Sequence, residues 1–154
     1  MKQPDFDLEA AHKYFSADCF NRAWDLIEKK DRSPEENDNM LALSMSSFWH
    51  WTQRKDCTAE NLSVAYWQLS RIFVLLDQSF NALRYGELCL VISQDPSLPP
   101  YCLGYAYEAL ARAHMKLGSE EKAIAYMEQA KKVSMRMKDP ETRKSLLSDL
   151  DTIS

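Results

Sequence analysis

The chain has 154 residues, a net charge of −4 at neutral pH, and 45% hydrophobic residues. This length suits one domain with a sizeable core. Three glycines are too few for the tight turns of a many-stranded sheet, so the composition favours helices. An acidic chain lacks the basic stripe that binds a phosphate backbone, so we expect no nucleic-acid partner.

The sequence also argues against targeting to a membrane or an oxidising compartment. Its first residues are polar and acidic, and no apolar run approaches the roughly 20 residues of a membrane span. The four cysteines are far apart and form no CxxC pair, so neither a zinc knuckle nor a thioredoxin-like motif is expected. We therefore expect a cytoplasmic protein without a disulfide framework.

Helix start and stop signals divide the chain into about eight helices. Ser33-Pro34-Glu35-Glu36 combines an N-cap serine, a proline at the first helical position and a glutamate three residues after the cap. Asp139-Pro140-Glu141 starts the last helix in the same way, and Gly118-Ser119 ends one helix and caps the next. The predicted helices cover residues 5–16, 19–31, 34–54, 59–77, 79–94, 99–117, 119–138 and 140–152.

The chain repeats itself at an offset of 41 residues. This offset places Tyr66, Leu69, Ser70, Phe73 and Ala82 over Tyr107, Leu110, Ala111, His114 and Ala123. A weaker third copy comes from Ala11, Tyr14, Phe20, Ala23 and Ile27. An aromatic residue, a leucine and a small residue on one helix, followed by small residues where a second helix crosses, resemble the tetratricopeptide repeat (TPR).

The resemblance implies an all-α fold, a right-handed stack of antiparallel helical hairpins forming a single domain over residues 1–154. Its repeat-like units are 6–31, 60–95 and 100–137, and 140–152 is an amphipathic capping helix. The helix 34–54 lies outside this scheme. Either it pairs with 59–77 and shifts the phase of the repeats, or the stack changes direction there.

Four side chains are candidates for a peptide-binding groove. Arg71 and Arg112 occupy equivalent positions on the first helices of their hairpins, which in this family line the groove. There they could bind a carboxylate or phosphate in a bidentate manner. Trp67 and Tyr105 are the other two groove contacts that we predict. The alternative is that Arg112 pairs with Glu108, one turn earlier, on a solvated helix face.

The segment Phe48-Trp49-His50-Trp51 is the densest aromatic cluster in the chain. Successive helical residues point about 100° apart, so Phe48, Trp49 and Trp51 cannot all face one direction. Burial between stacked helices is the favoured interpretation. Any ring left exposed would indicate peptide binding or a homodimer interface.

No motif in the sequence indicates catalysis or a cofactor. The patterns GxSxG, GxxxxGK[ST] and GxGxxG are all absent. His12, His50 and His114 lie on three predicted helices and could converge on a metal. However, no HxxxH or ExxH pair supplies two ligands from one helix, and His114 takes an aromatic position of the repeat. We therefore expect neither a metal nor a cofactor.

The sequence favours a non-enzymatic adaptor or scaffold module that binds a protein or peptide. One alternative is a self-associating structural protein, including a homodimer that pairs through the aromatic cluster. A second alternative, from a different class, is a helical-bundle metal-binding enzyme that uses His12, His50 and His114.

Overall fold

The computed structural model describes residues 5–154, which form seven α-helices and no strand. None of these helices is both long enough and apolar enough to span a membrane. The helices are α1 (Leu8–Glu28), α2 (Pro34–Thr52), α3 (Ala59–Leu75), α4 (Ser79–Ser93), α5 (Pro100–Lys116), α6 (Glu120–Ser134) and α7 (Pro140–Asp151).

The helices pack as three sequential hairpins and a final capping helix. The most extensive packing joins α1 to α2, α3 to α4, and α5 to α6. Adjacent hairpins meet chiefly through α2 with α3 and α4 with α5, and α7 packs on α5 and α6. The predicted all-α stack of helical hairpins is therefore confirmed.

The first hairpin differs from the prediction. The two helices predicted at 5–16 and 19–31 are one continuous helix, α1, because neither Ala17 nor Asp18 breaks a helix. Asp18 instead pairs with Arg22 one turn later along the same helix. The unit 6–31 is thus not a hairpin by itself. The helix at 34–54 is its partner, since α2 packs more extensively on α1 than on α3.

The capping signals formed the expected bonds at two of the three predicted helix starts. The Ser33 hydroxyl accepts from the Glu36 amide at 3.2 Å, and the Glu36 carboxylate accepts from the Ser33 amide at 2.9 Å. Asp139 accepts from the Thr142 amide at 2.8 Å. Gly118 ends α5 with φ of 71°, whereas Ser119 makes no side-chain cap bond to α6.

Small residues allow close helix crossings, as the repeat pattern predicts. Ala82 and Ala123 are fully buried within their hairpins. Gly104 matters most for the cap, because a Cβ there would lie 2.7 Å from both Leu146 and Met137. Leu146 and Leu150 of α7 are themselves completely buried. The helix predicted at 140–152 therefore covers the apolar side of the last hairpin.

Candidate functional site

The four predicted groove residues lie together, around the carboxylate of Glu108. This side chain is 1% exposed and accepts hydrogen bonds from Trp67 Nε1 at 2.8 Å, Arg71 Nη1 at 3.2 Å and Arg112 Nε at 2.5 Å. The ring of Tyr105 lies against that of Trp67, with centroids 4.9 Å apart. Residues from α3 and α5 thus form one buried polar network.

The capping helix α7 closes this network from one side. Arg112 Nη2 donates to the Asp149 carbonyl at 2.6 Å and to the Thr152 hydroxyl at 2.7 Å. The prediction that Arg112 faces an open groove is therefore wrong. Its alternative, the pair with Glu108, is present, but it is buried rather than solvated because α7 covers it.

Two acidic side chains accompany the two guanidiniums in this region. Burial raises the pKa of Asp149, the nearby charge of Glu108 raises it further, and Arg71 and Arg112 oppose the rise. A polar cavity of about 340 Å³ adjoins both arginines, and Lys116 on its wall pairs with Asp77 at 3.1 Å. Because these cations face anions of the chain itself, the cavity offers little surplus charge for an anionic ligand.

The three aromatic interface candidates point in three directions. Phe48 is half-buried against Tyr66, with ring centroids 5.2 Å apart. Trp49 is 53% exposed and is the ring left at the surface. Trp51 is half-buried at the end of α2, where Arg54 stacks on one of its faces.

The three histidines do not converge. His12 and His50 join α1 to α2 through a hydrogen bond of 2.8 Å between their Nδ1 atoms, while His114 lies in the third hairpin, stacked on Tyr126. Burial, and then the nearby His12, lower the pKa of His50. Among residues 5–154, no group of three histidine, cysteine, aspartate or glutamate side chains could hold a metal.

A cleft that the sequence patterns did not predict lies between α1, α3 and α5. We call it the α1–α3 cleft. It encloses about 190 Å³ and is mainly apolar. The residues that matter most in its lining are Ala17, Phe20, Trp51, Glu60, Val64 and Tyr101.

Two aromatic residues that line the α1–α3 cleft, Trp51 and Tyr101, are held in place by other side chains. The guanidinium carbon of Arg54 lies 3.8 Å from the centroid of the Trp51 ring. Arg54 is fixed in turn by two hydrogen bonds to Asp56, at 2.8 and 2.7 Å, and by one to the Ser16 hydroxyl at 2.8 Å. The Tyr101 hydroxyl donates to the Glu60 carboxylate. Both rings are therefore positioned before any ligand arrives.

A second apolar cleft, of about 220 Å³, continues the first one along α3 and α5. Trp67, Cys102 and Tyr105 line it, and it shares Val64 and Tyr101 with the α1–α3 cleft. Two of the four predicted groove residues, Trp67 and Tyr105, thus lie on an accessible surface. We call the two clefts together the first-helix surface, because α1, α3 and α5 are the first helices of their hairpins.

The offset of 41 residues was the signal that could have found this surface. Glu60 and Tyr101 are 41 residues apart, and so are Trp67 and Glu108. Each bonded pair joins equivalent positions of adjacent hairpins. The repeat alignment places such residues over one another, and packing of α3 beside α5 brings them into contact.

The first-helix surface is equipped for non-covalent recognition. Aromatic residues, two asparagines and one glutamate line the α1–α3 cleft. The thiol of Cys102 lines the second cleft, but burial raises its pKa, so it is protonated and a poor nucleophile at neutral pH. No protein-family model, no curated protein and no solved structure matches this chain.

Proposed function

We propose that the chain is a non-enzymatic, protein-binding adaptor or scaffold module of the tetratricopeptide type, which binds a peptide segment of its partner on the first-helix surface. The observation that carries this proposal is the α1–α3 cleft. Its volume of about 190 Å³ exceeds that of a cavity of about 150 Å³ that binds benzene. One leucine-sized or phenylalanine-sized side chain therefore fits.

The neighbouring second cleft favours a peptide over an isolated small molecule. Because the two clefts share Val64 and Tyr101, side chains of one extended segment can occupy both. The exposed amide of Asn21 is placed to bond the peptide backbone. The amide oxygen of Asn61 accepts from Thr58 in the cap of α3, so Asn61 offers the peptide only its N–H groups. Recognition of this kind relies on fixed aromatic walls and a few directional polar groups.

The buried network around Glu108 supports this surface from beneath. Its carboxylate fixes the indole N–H of Trp67, so that the ring keeps one orientation in the second cleft. Arg71 and Arg112 hold Glu108 in place. In this proposal Trp67 and Tyr105 contact the peptide, while the two arginines act as positioning residues.

Self-association is the second candidate function, and the open end of the stack favours it. Tyr14, Phe15 and Trp49 are 62%, 43% and 53% exposed on the first hairpin, and Phe15 and Trp49 both lie against His50. An aromatic patch of this kind is a common dimer contact. Sedimentation velocity tests it: a concentration-dependent dimer that Trp49→Ser abolishes would favour this function.

Peptide display tests the leading proposal. Peptides selected on the purified chain should bind Ala17→Trp at least tenfold more weakly than the parent, because the indole fills the α1–α3 cleft from an exposed position. The matched control is Ala125→Trp, since Ala125 is also exposed, lies on α6 and lines neither cleft. Fluorescence anisotropy gives the affinities, and circular dichroism confirms the fold. Equal binding to Ala17→Trp would rule out this surface.

A further inference from the structure

Among residues 5–154, Glu60 carries the only formal charge in the lining of the α1–α3 cleft. It lies in the first turn of α3, is half-buried, and accepts one hydrogen bond from the Tyr101 hydroxyl. A carboxylate has about four acceptor sites, so most of its hydrogen-bonding capacity remains for other donors. No lysine, arginine or histidine in residues 5–154 forms an ion pair with it.

The cation that stacks on Trp51, in the lining of the cleft, is bonded to other groups. Arg54 stacks on Trp51, but its guanidinium bonds Asp56 and Ser16 rather than Glu60. By contrast, the buried carboxylate of Glu108 bonds two guanidiniums. The cleft therefore keeps an acidic group that no cation of residues 5–154 neutralises, among aromatic and aliphatic side chains.

We propose that the α1–α3 cleft binds a basic side chain, a lysine or arginine of the partner peptide, whose charged end pairs with Glu60. The aliphatic stem of such a side chain packs on Phe20 and Val64, as long basic residues do on apolar surfaces. The ring of Tyr101, whose hydroxyl is bonded to Glu60, adds a cation–π attraction. This inference rests on the proposed function, because it names the side chain that the same cleft accepts.

Charge complementarity distinguishes this occupant from its competitors. A purely apolar side chain would cover Glu60 without supplying a donor, and burying an unpaired carboxylate is costly. An acidic side chain would place two like charges together. The chain as a whole carries a net charge of −4, which also attracts a basic segment over a longer distance.

A matched peptide series tests the inference. The probes are acetylated and amidated heptapeptides, Gly-Ser-Leu-X-Leu-Ser-Gly, in which X is lysine, arginine, norleucine or glutamate. Norleucine keeps the aliphatic stem of lysine without its ammonium group. Titrations followed by heteronuclear NMR on the full chain should give lysine and arginine at least tenfold tighter binding than norleucine, and glutamate the weakest.

The variant Glu60→Gln assigns the preference to one side chain. Its amide oxygen still accepts from the Tyr101 hydroxyl, so the cleft keeps its shape while losing its charge. The advantage of lysine over norleucine should fall to within about twofold, since the ammonium group then meets an uncharged acceptor and the ion pair is lost. Raising the salt concentration should reduce the lysine advantage on the parent in the same direction, which gives a measurement independent of any variant.

The possible failures separate the two proposals. If norleucine binds the parent as tightly as lysine, and Ala17→Trp abolishes both, the basic side chain is excluded while peptide binding by the cleft stands. If the lysine preference persists in Glu60→Gln, Glu60 is not the counter-charge. If no heptapeptide and no displayed peptide binds, both proposals fail.

Discussion

Glu60 lines the first-helix surface and Glu108 lies buried beneath it, and the surroundings of the two carboxylates are opposite. Glu108 is 1% exposed and bonds Trp67, Arg71 and Arg112, with α7 closing the network. Glu60 is half-buried, borders an open cleft and, within the described part of the chain, its carboxylate bonds Tyr101 alone. The comparison teaches that a carboxylate can hold a fold together or remain available for a ligand, and that the presence of cations from the chain itself decides which.

The greatest loss of stability should come from removing the buried carboxylate of Glu108. Glu108→Ala leaves Arg71 and Arg112 buried near one another without their common counter-charge. Removing one partner from a buried ion pair typically costs 3–5 kcal/mol, so we expect a loss of about 4 kcal/mol in the free energy of unfolding. Urea denaturation followed by circular dichroism measures it. A loss below about 1 kcal/mol would mean that the network contributes little.

A smaller loss of stability is expected from a change in the apolar packing of α7 on the last hairpin. Gly104→Ala places a Cβ at 2.7 Å from Leu146 and Met137, both buried where α7 meets the last hairpin. Overpacking of this kind costs about 1–3 kcal/mol. The atoms that a Cβ would meet are the ends of the two side chains, which can shift, and alanine is the better helix former by about 1 kcal/mol. We therefore expect a net loss of about 1 kcal/mol, which the same urea titration should detect. Ser145→Ala, at an exposed position on α7, is the control and should change stability by less than about 0.5 kcal/mol.

Acid should lower the stability of the third hairpin, because His114 takes up a proton. Burial, and then the charge of Lys122, lower the pKa of this imidazole, while Glu87 partly opposes the change. Since the unfolded chain takes up the proton more readily, stability falls as the pH drops below about 6.5, the ordinary pKa of histidine. The Nδ1 atom of His114 is buried and has no partner among the described residues, so phenylalanine can replace the ring.

The variant His114→Phe sharpens that prediction. It should flatten the fall in thermal stability between pH 7 and pH 5, but only in part, because the pKa of His50 is lowered as well. Melting temperatures of parent and variant across this pH range give the comparison. An unchanged slope would show that His114 titrates alike in the folded and unfolded chains.

The smallest change in stability is expected at Glu60, which borders the α1–α3 cleft. Glu60→Gln should change the free energy of unfolding by less than about 1 kcal/mol, since the amide oxygen replaces the carboxylate as the acceptor for Tyr101. The ratio of this change to the one caused by Glu108→Ala shows how differently the two carboxylates contribute to stability. A loss as large as that of Glu108→Ala would make Glu60 a structural residue and remove the contrast.

Local signals predicted much of the fold. The capping boxes, the prolines at helix starts and the spacing of apolar residues are properties of short segments, and most helix bounds agree with them. The break predicted between residues 16 and 19 failed because no residue there ends a helix. The predicted pairing of the helices was wrong for the same reason. Because residues 5–31 were divided into two helices that paired with each other, the helix at 34–54 was left without its true partner.

The site was less predictable, because it depends on which side chains meet. The repeat alignment grouped Trp67, Tyr105 and the two arginines correctly in space. It could not show that α7 covers Arg112, because that contact joins the repeat to a helix outside it. Tyr101 and Glu60 were missed, although the offset of 41 residues relates them directly.

The pairs joined by this offset also have a consequence for how the stack is ordered. In each pair the two equivalent positions differ: Glu60 meets Tyr101, and Trp67 meets Glu108. If the middle hairpin were duplicated in tandem, Glu60 would face a second glutamate and Trp67 a second tryptophan, with neither bond possible. The middle and last hairpins are therefore not interchangeable modules, and the junction between them specifies their order.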